Sequence, residues 1–446
     1  MLCDHAAAMP LADAINAARG YDSGYLAARN AREAGHEKRI QGIAGLLPQA
    51  RIDAGYSMQD QPDATYATVV HRHNYGISVT QPIFDLARIA NYKRGASLSN
   101  TADVEFAKAE QNLIIGVSNA YFDVLFQHEV LVATQAAEKV FSQQLQQAQS
   151  ALKLGEGTRI EVDEAQANYD QATAQAIAAG NDLEINNAAY TRLTGMPPGT
   201  IEPVRWSCIP PVGTNPDTLM SEAETGNLDV RAAQFQVKQA RADVLAAQAT
   251  LSPTVNLQAS YGMNWSRGSN ENEWDQVFGT TSKTSVRQVG VNISIPVFSG
   301  GSGLSQTREA YSRREQADAA LEDARRKARE QARTAYLNLT NGQALIHAKE
   351  RALASANTKV ESTRMGQQAG LRTTIDVLNA QQHYFEAVRD LADARNKFLK
   401  ARLQLSASLD MLETDTASLS CRRANGTPAA APAASAPLPR RKEVQP

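Results

Sequence analysis

The sequence predicts a mainly α-helical chain with a small β part, built from long antiparallel helical hairpins in coiled-coil contact and four short amphipathic strands. Three observations carry this. The 446 residues hold two copies of one pattern, the apolar period inside each copy switches between two and the helical value, and Gly and Pro gather at the switches.

The duplication is read from aligned residues. Gly155-Glu-Gly-Thr-Arg-Ile-Glu-Val-Asp-Glu-Ala-Gln166 matches Gly370-Leu-Arg-Thr-Thr-Ile-Asp-Val-Leu-Asn-Ala-Gln381, and the same offset pairs Ala120-Tyr121 with Ala335-Tyr336. Upstream, Pro48 to Met58 matches Pro253 to Met263, and Gln81-Pro82-Ile83-Phe84-Asp85 matches Ile295-Pro296-Val297-Phe298-Ser299. The first unit covers 9–225: a helix, strands over 48–58 and 74–84, a helical hairpin over 86–193 and a Pro-rich equatorial segment over 196–225. The second covers 226–412: a helix, strands over 253–265 and 287–298 and a hairpin over 304–412. Residues 1–8 read as a residual signal or disordered start, and 413–446 as an equatorial segment with an Ala/Pro-rich tail expected to be disordered.

Each strand alternates with period two. Ala50, Ile52, Ala54, Tyr56 and Met58 oppose Arg51, Asp53 and Ser57, while Val255, Leu257, Ala259, Tyr261 and Met263 oppose Asn256, Gln258 and Ser260. Tyr75, Ile77 and Val79, and then Val289, Val291, Ile293 and Ile295, repeat the pattern. The helices are long. From Leu86 to Leu154, at 1.5 Å per residue, an unbroken rod reaches roughly 100 Å. Leu113, Val117, Ala120 and Val124 recur at three- and four-residue spacing, so such rods pack side by side.

Composition excludes several functions. A net charge of −2 from 45 basic and 47 acidic residues leaves no footprint for nucleic acid. No apolar run reaches the ~18 residues of a spanning helix. Cys3, Cys208 and Cys421 form no metal or redox spacing; Cys3 reads as incidental, and pairing of Cys208 with Cys421 stays open. His71 and His73 read as solvent-exposed histidines of a polar loop, so no metal and no other cofactor is expected. No phosphate-binding loop, nucleophile elbow or catalytic triad order is present, and no enzymatic activity is expected.

The alternation also fits a soluble sheet lying on helices. Strands of this length and two-facedness equally fit a membrane barrel, and four are too few to close one, so several chains must share it. Proline at 82 and 296, ahead of Phe84 and Phe298, is expected to end strand pairing, with Asp85 and Ser299 capping the helices that follow.

This twofold plan, with its Pro-x-Phe junctions, resembles the TolC outer membrane factor family over nearly the whole chain. The resemblance implies a homotrimer whose chains complete a shared twelve-stranded transmembrane barrel continued by an α-helical tunnel, in the outer membrane with the helices in the periplasm. It implies contact with outer-membrane lipid, a periplasmic adaptor (membrane fusion) protein, and an inner-membrane ABC transporter or proton-driven pump. By motif, Asp376 and Asn379 fall where the family carries acidic rings at its periplasmic gate, with Arg372 and Glu161 as a latch pair. The turns Gly155, Glu156, Gly157, Thr158 and Gly370, Leu371, Arg372, Thr373 are expected to dock the adaptor, glycine also serving to end a helix. The cargo implied is a protein toxin such as an RTX cyclolysin, exported by type I secretion. A multidrug efflux outlet and a soluble coiled-coil interaction protein are the alternatives.

Overall fold

A computed structural model describes residues 9–60, 69–204, 206, 209, 215–268 and 282–419. The start of the chain, all three cysteines and the tail after 419 lie outside these residues, and so do the expectations attached to them.

Two short helices come first, α1 (Leu11–Tyr21) and α2 (Ser23–Ala44), followed by strands β1 (Gln49–Asp60) and β2 (Val69–Phe84). Rod α3 (Leu86–Leu154) turns back into α4 (Arg159–Thr194). The order then repeats: α5 (Pro216–Gly226), α6 (Leu228–Ala249), β3 (Thr254–Gly268), β4 (Ser282–Ser294), rod α7 (Ser302–Gln368) and α8 (Thr374–Ser408). Helix α9 (Leu412–Leu419) closes the described chain.

Where one helix was expected ahead of each first strand there are two, and the reason is local. The Asp22 carboxylate accepts from the Tyr25 amide and the Asn227 side chain from the Asp229 amide, so each interrupts one helix and starts the next. Helix α5 also lies inside the segment expected to break helical pattern, because Pro216 occupies a first-turn position and Asn215 caps it.

Rods α3 and α7 run the length of the molecule, and their neighbours change along them. On the strand side α3 packs on α2 and α6, and α6 on α7; on the far side α3 packs on α4 and α8, and α8 on α7. Small residues set the spacing. At Gly95 an added Cβ would lie 2.4 Å from the Lys38 carbonyl oxygen, so α2 and α3 touch backbone to backbone there.

The main core lies at the waist where these neighbours exchange. Tyr121, Phe122, Val117, Tyr190, Leu339 and Leu403 are buried in it together with Leu11 and Ala14 of α1. The Tyr121 hydroxyl donates to the carbonyls of Met9 (3.0 Å) and Glu202 (2.8 Å), tying the chain start and the equatorial segment to α3. Burial holds that phenol well above its usual pKa, so it stays a donor.

At the same waist α9 folds back on α8. Arg402 and Asp415 pair there, the guanidinium Nε lying 2.9 Å from Oδ2, and the Ser406 hydroxyl donates to the same oxygen at 2.8 Å. Both charges are nearly buried. Removing one partner strands the other in a dry site, so Asp415→Ala is expected to cost about 3–5 kcal/mol, read as a lowered thermal midpoint by circular dichroism in detergent.

Candidate functional site: the sheet and the helical tips

The four strands form one antiparallel sheet in the order β1-β2-β3-β4, open at both edges. Register decides which residues share a face. Ala50, Val79, Ala259 and Val289 stand in one row, and Ile52, Ile77, Tyr261 and Arg287 in another. Leu257 and Val291 share a row, as do Val255 and Ile293. The alternate rows read Arg51, Ser78, Ser260, Gln288 and Gly55, Asn74, Asn264, Thr284. All the apolar positions expected inside the strands therefore collect on one face. That face is bare: Ile52 is 79% and Val289 77% exposed.

The strands run further than expected. β2 starts at Val69 instead of 74, β3 continues to Gly268 instead of 265, and β4 starts at Ser282 instead of 287. The regular apolar alternation stops there, but the hydrogen-bond ladder continues through a rim where histidine, arginine and aromatic side chains are mixed with a few apolar ones. His71 and His73 thus belong to β2 and not to a loop, and the Tyr56 hydroxyl and His71 Nδ1 share a hydrogen bond at 2.8 Å.

The two Pro-x-Phe junctions differ. β2 runs through Pro82 to Phe84, pairing with β3 across a register shift, so Pro82 does not end the ladder. It is tolerated because β1 has already ended at Gln49, opposite Thr80. Asp85 then caps α3, accepting from the amides of Ala87 (2.9 Å) and Arg88 (3.2 Å). At the second junction β4 stops at Ser294, before Pro296, and Phe298 is almost fully exposed. Ser299 is not the cap; that position is Gly301, at φ +84°.

The far ends of the hairpins repeat one construction. Gly155 (φ +80°) and Gly370 (φ +75°) take the left-handed conformation. The Glu156 amide donates to the Ala151 carbonyl (2.9 Å) and the Leu371 amide to the Gly366 carbonyl (2.8 Å), closing both rods in the same way. Two residues on, Thr158 and Thr373 start the return helices with reciprocal capping boxes to Glu161 and Asp376.

This fixes the residues expected at a gate. The Glu161 carboxylate accepts from the Thr158 amide at 2.9 Å, and within the protomer Arg372 and Glu161 form no ion pair among the described residues. The Arg372 stem instead lies over Gly366, where an added Cβ would meet its Cγ at 2.9 Å. Asp376 accepts from the Thr373 amide at 3.0 Å, and these bonds, with the nearby Arg372 charge, hold it below the usual carboxylate pKa. Asp376 and exposed Asn379 sit on the same side of α8, away from buried Val377 and Leu378. Around the tips, Leu371 (80% exposed), Leu154 (75%), Ile160 and Met365 are open to solvent. Sequence reasoning named the glycines but missed both capping boxes and this apolar fringe.

Among the described residues no helix is long and apolar enough to cross a membrane, and no His, Cys, Asp and Glu gather as metal ligands. The outer membrane efflux protein model matches residues 16–196 and 219–410. The chain belongs to that family. Its members are outer-membrane transport channels and not enzymes, which places this chain in the outer membrane and removes the soluble coiled-coil reading. It is 30% identical to the alkaline protease secretion protein AprF of Pseudomonas aeruginosa over 91% of this chain and 85% of that one. It is 26% identical to the outer membrane protein TolC of Vibrio cholerae over 90% and 91% of the two chains. The crystal structure of the outer membrane protein VceC from Vibrio cholerae superposes with a TM-score of 0.75 at 20% identity, over 90% and 95% of the chains. The shared fold is mainly helical with a four-stranded antiparallel sheet.

Two outcomes follow for the tips. Thr158→Ala removes an N-cap worth about 1 kcal/mol, so amides at the start of α4 should exchange faster while the waist is unchanged. Because Asp376 has a depressed pKa, its stabilising effect is present above the ordinary carboxylate range and is lost as pH falls through the folded value. Protection factors of amides at the start of α8, taken relative to the base-catalysed intrinsic exchange rate, should fall on acidification, and Asp376→Asn should flatten that dependence.

Proposed function

We propose that three copies of this chain close a twelve-stranded barrel in the outer membrane and continue it as a helical tunnel through the periplasm, forming the exit duct of an export complex. One observation carries the reading: register gathers the strands' apolar residues onto a single exposed face, while β1 and β4 leave their outer edges unpaired. In hydrocarbon every unpaired peptide group costs several kcal/mol, so an open sheet of four strands is untenable there alone. Joining β4 of one copy to β1 of the next removes the edges.

The rods support the same ring. In the tip half α4 and α7 lie on the outside of each protomer's helix layer, and both carry exposed apolar side chains eight residues apart: Ile177 and Ile185, Leu337 and Leu345. Neighbouring copies would cover them against each other, in the seam-like manner of coiled coils.

The tips are proposed to meet a periplasmic adaptor through Leu154, Ile160, Met365 and Leu371, with the adaptor coupled to an inner-membrane ABC transporter or proton-driven pump. Asp376, and Asn379 beside it, are proposed to face the tunnel axis, where three copies would focus negative potential on passing ions. A pair of Arg372 with Glu161, which does not form within the protomer among the described residues, is proposed to form between copies.

The cargo is proposed to be a protein delivered by type I secretion, supported by the relative named for alkaline protease secretion. A cytolysin as cargo has no support in that name, and lysis is not proposed. An efflux outlet is the second reading, favoured by the family's description.

Val291→Lys, in the Leu257 row four residues below Arg287 on the apolar face, should remove the protein from outer-membrane fractions, since a charge on the lipid face costs about 2–4 kcal/mol at mid-depth, whereas Ser78→Lys on the other face should still insert. Insertion of both, or of neither, overturns the assignment of faces. Deleting the gene should abolish secretion of a protein while leaving resistance to small toxic compounds intact; the opposite pattern establishes efflux. The paired change Leu371→Asp with Ile160→Asp should stop export from correctly assembled, membrane-located protein.

A further inference from the structure

The apolar face of the sheet has a distinct upper border. Connectivity places the helices at the Gln49 and Phe84 ends of the strands, so Asp60 and Val69 mark the end remote from them. Near that end Tyr56, His73, Trp265 and Lys283 stand in one row across all four strands, and Met58, His71 and Arg267 in the next. The rings interact. The His73 ring lies 5.0 Å from Tyr56 and 4.7 Å from Trp265, while the Arg287 guanidinium sits 5.5 Å from the Tyr261 ring centre.

These side chains share the face of Ile52 and Val289, which the membrane reading turns toward lipid. Along that face the strands' described residues include one carboxylate, Asp60 at the outer end of β1, against Arg267, Lys283 and Arg287. Tyr and Trp settle where hydrocarbon meets headgroups, and Lys and Arg just above hydrocarbon extend their charged ends to that level. A cation held there faces a reduced dielectric, which strengthens its attraction to an anion, and a guanidinium matches a phosphate in two parallel hydrogen bonds.

We propose that this border, formed by Tyr56, His73, Trp265, Lys283 and Arg287, binds outer-leaflet headgroups whose phosphates carry a net negative charge. The proposal rests on the membrane reading of the sheet and adds to it a chemical preference among lipids. Charge complementarity selects the occupant: a zwitterionic headgroup supplies no net anion, and a protein partner would have to reach these side chains at the level of the lipid surface. Because β4 is an edge strand, the competing use of Lys283 and Arg287 is a joint with Asp60 of the adjoining copy.

The test reconstitutes the wild-type full chain, Lys283→Gln/Arg287→Gln and the charge-keeping Lys283→Arg/Arg287→Lys into nanodiscs. The discs contain phosphatidylcholine with either lipid A or its dephosphorylated form, and retained lipid is measured by mass spectrometry after detergent extraction. Wild type should retain lipid A over the dephosphorylated form by roughly tenfold or more, on the scale of two basic side chains at a charged lipid surface. The Gln variant should lose that preference and the charge-keeping variant should hold it. Equal retention of the two lipids by wild type, or by wild type and the Gln variant alike, overturns the proposal. A Gln variant that falls apart into single chains while keeping the lipid preference overturns it in favour of the joint. Failure of every protein to enter phosphatidylcholine sinks the membrane reading itself, and insertion without phosphate preference sinks this proposal alone.

Discussion

The constraint that governs the molecule is the need of every peptide N–H and C=O for a partner where water cannot supply one. Four strands satisfy one another internally, β2 and β3 on both sides over most of their length and β1 and β4 on one side only. The unsatisfied sides coincide with a face too apolar for water. Neither defect is cured by folding alone; the proposed ring of copies set in a bilayer would cure both, the ring pairing the edges and the lipid covering the apolar face.

The helical part answers a different demand. Rods of 69 and 67 residues cannot bury themselves by curling into a globule, so each is lined by shorter helices that exchange at a waist. The waist is where large side chains and buried polar links collect, including Tyr121 with its two carbonyl acceptors and Arg402 with Asp415. Toward the tips α4 buries only small residues, Ala165, Ala172, Ala176 and Ala179, which lets helices approach closely, and the large side chains there come from its neighbours, Phe141, Leu378 and Phe385, in a second and smaller core.

What the sequence disclosed follows the reach of its two periods. Inside the apolar band the alternation names the residues that share one face of all four strands, because a two-faced strand cannot slip register by one residue without turning its apolar set over. Outside it the signal vanishes: the rim at His71, Arg72 and His73 still pairs but carries no apolar alternation, so in sequence it reads as loop. Pro82 misled for a related reason, since the rule against proline in a ladder does not reveal where the neighbouring strand has ended. The capping boxes were legible as Thr-Arg-Ile-Glu and Thr-Thr-Ile-Asp. The same carboxylates, Glu161 and Asp376, also match a gate position by motif, and the short distances to their own Thr amides show what they do within one chain. The placement of Asp376 relative to a tunnel axis depends on the other copies and was never contained in a single chain's pattern.

The duplication bears on the coaxial partner proposed for the tips. The two rods are of nearly equal length, 69 and 67 residues. Both are closed by a left-handed glycine and reopened by a threonine cap, so the two turns present similar backbone. Their side chains differ: Glu156 and Gly157 stand in one turn where Leu371 and Arg372 stand in the other. Three copies would set six turns of alternating character around a ring. A partner with one contact per turn would meet a repeating shape but an alternating chemistry, so it could register on the ring in threefold steps and not in sixfold ones.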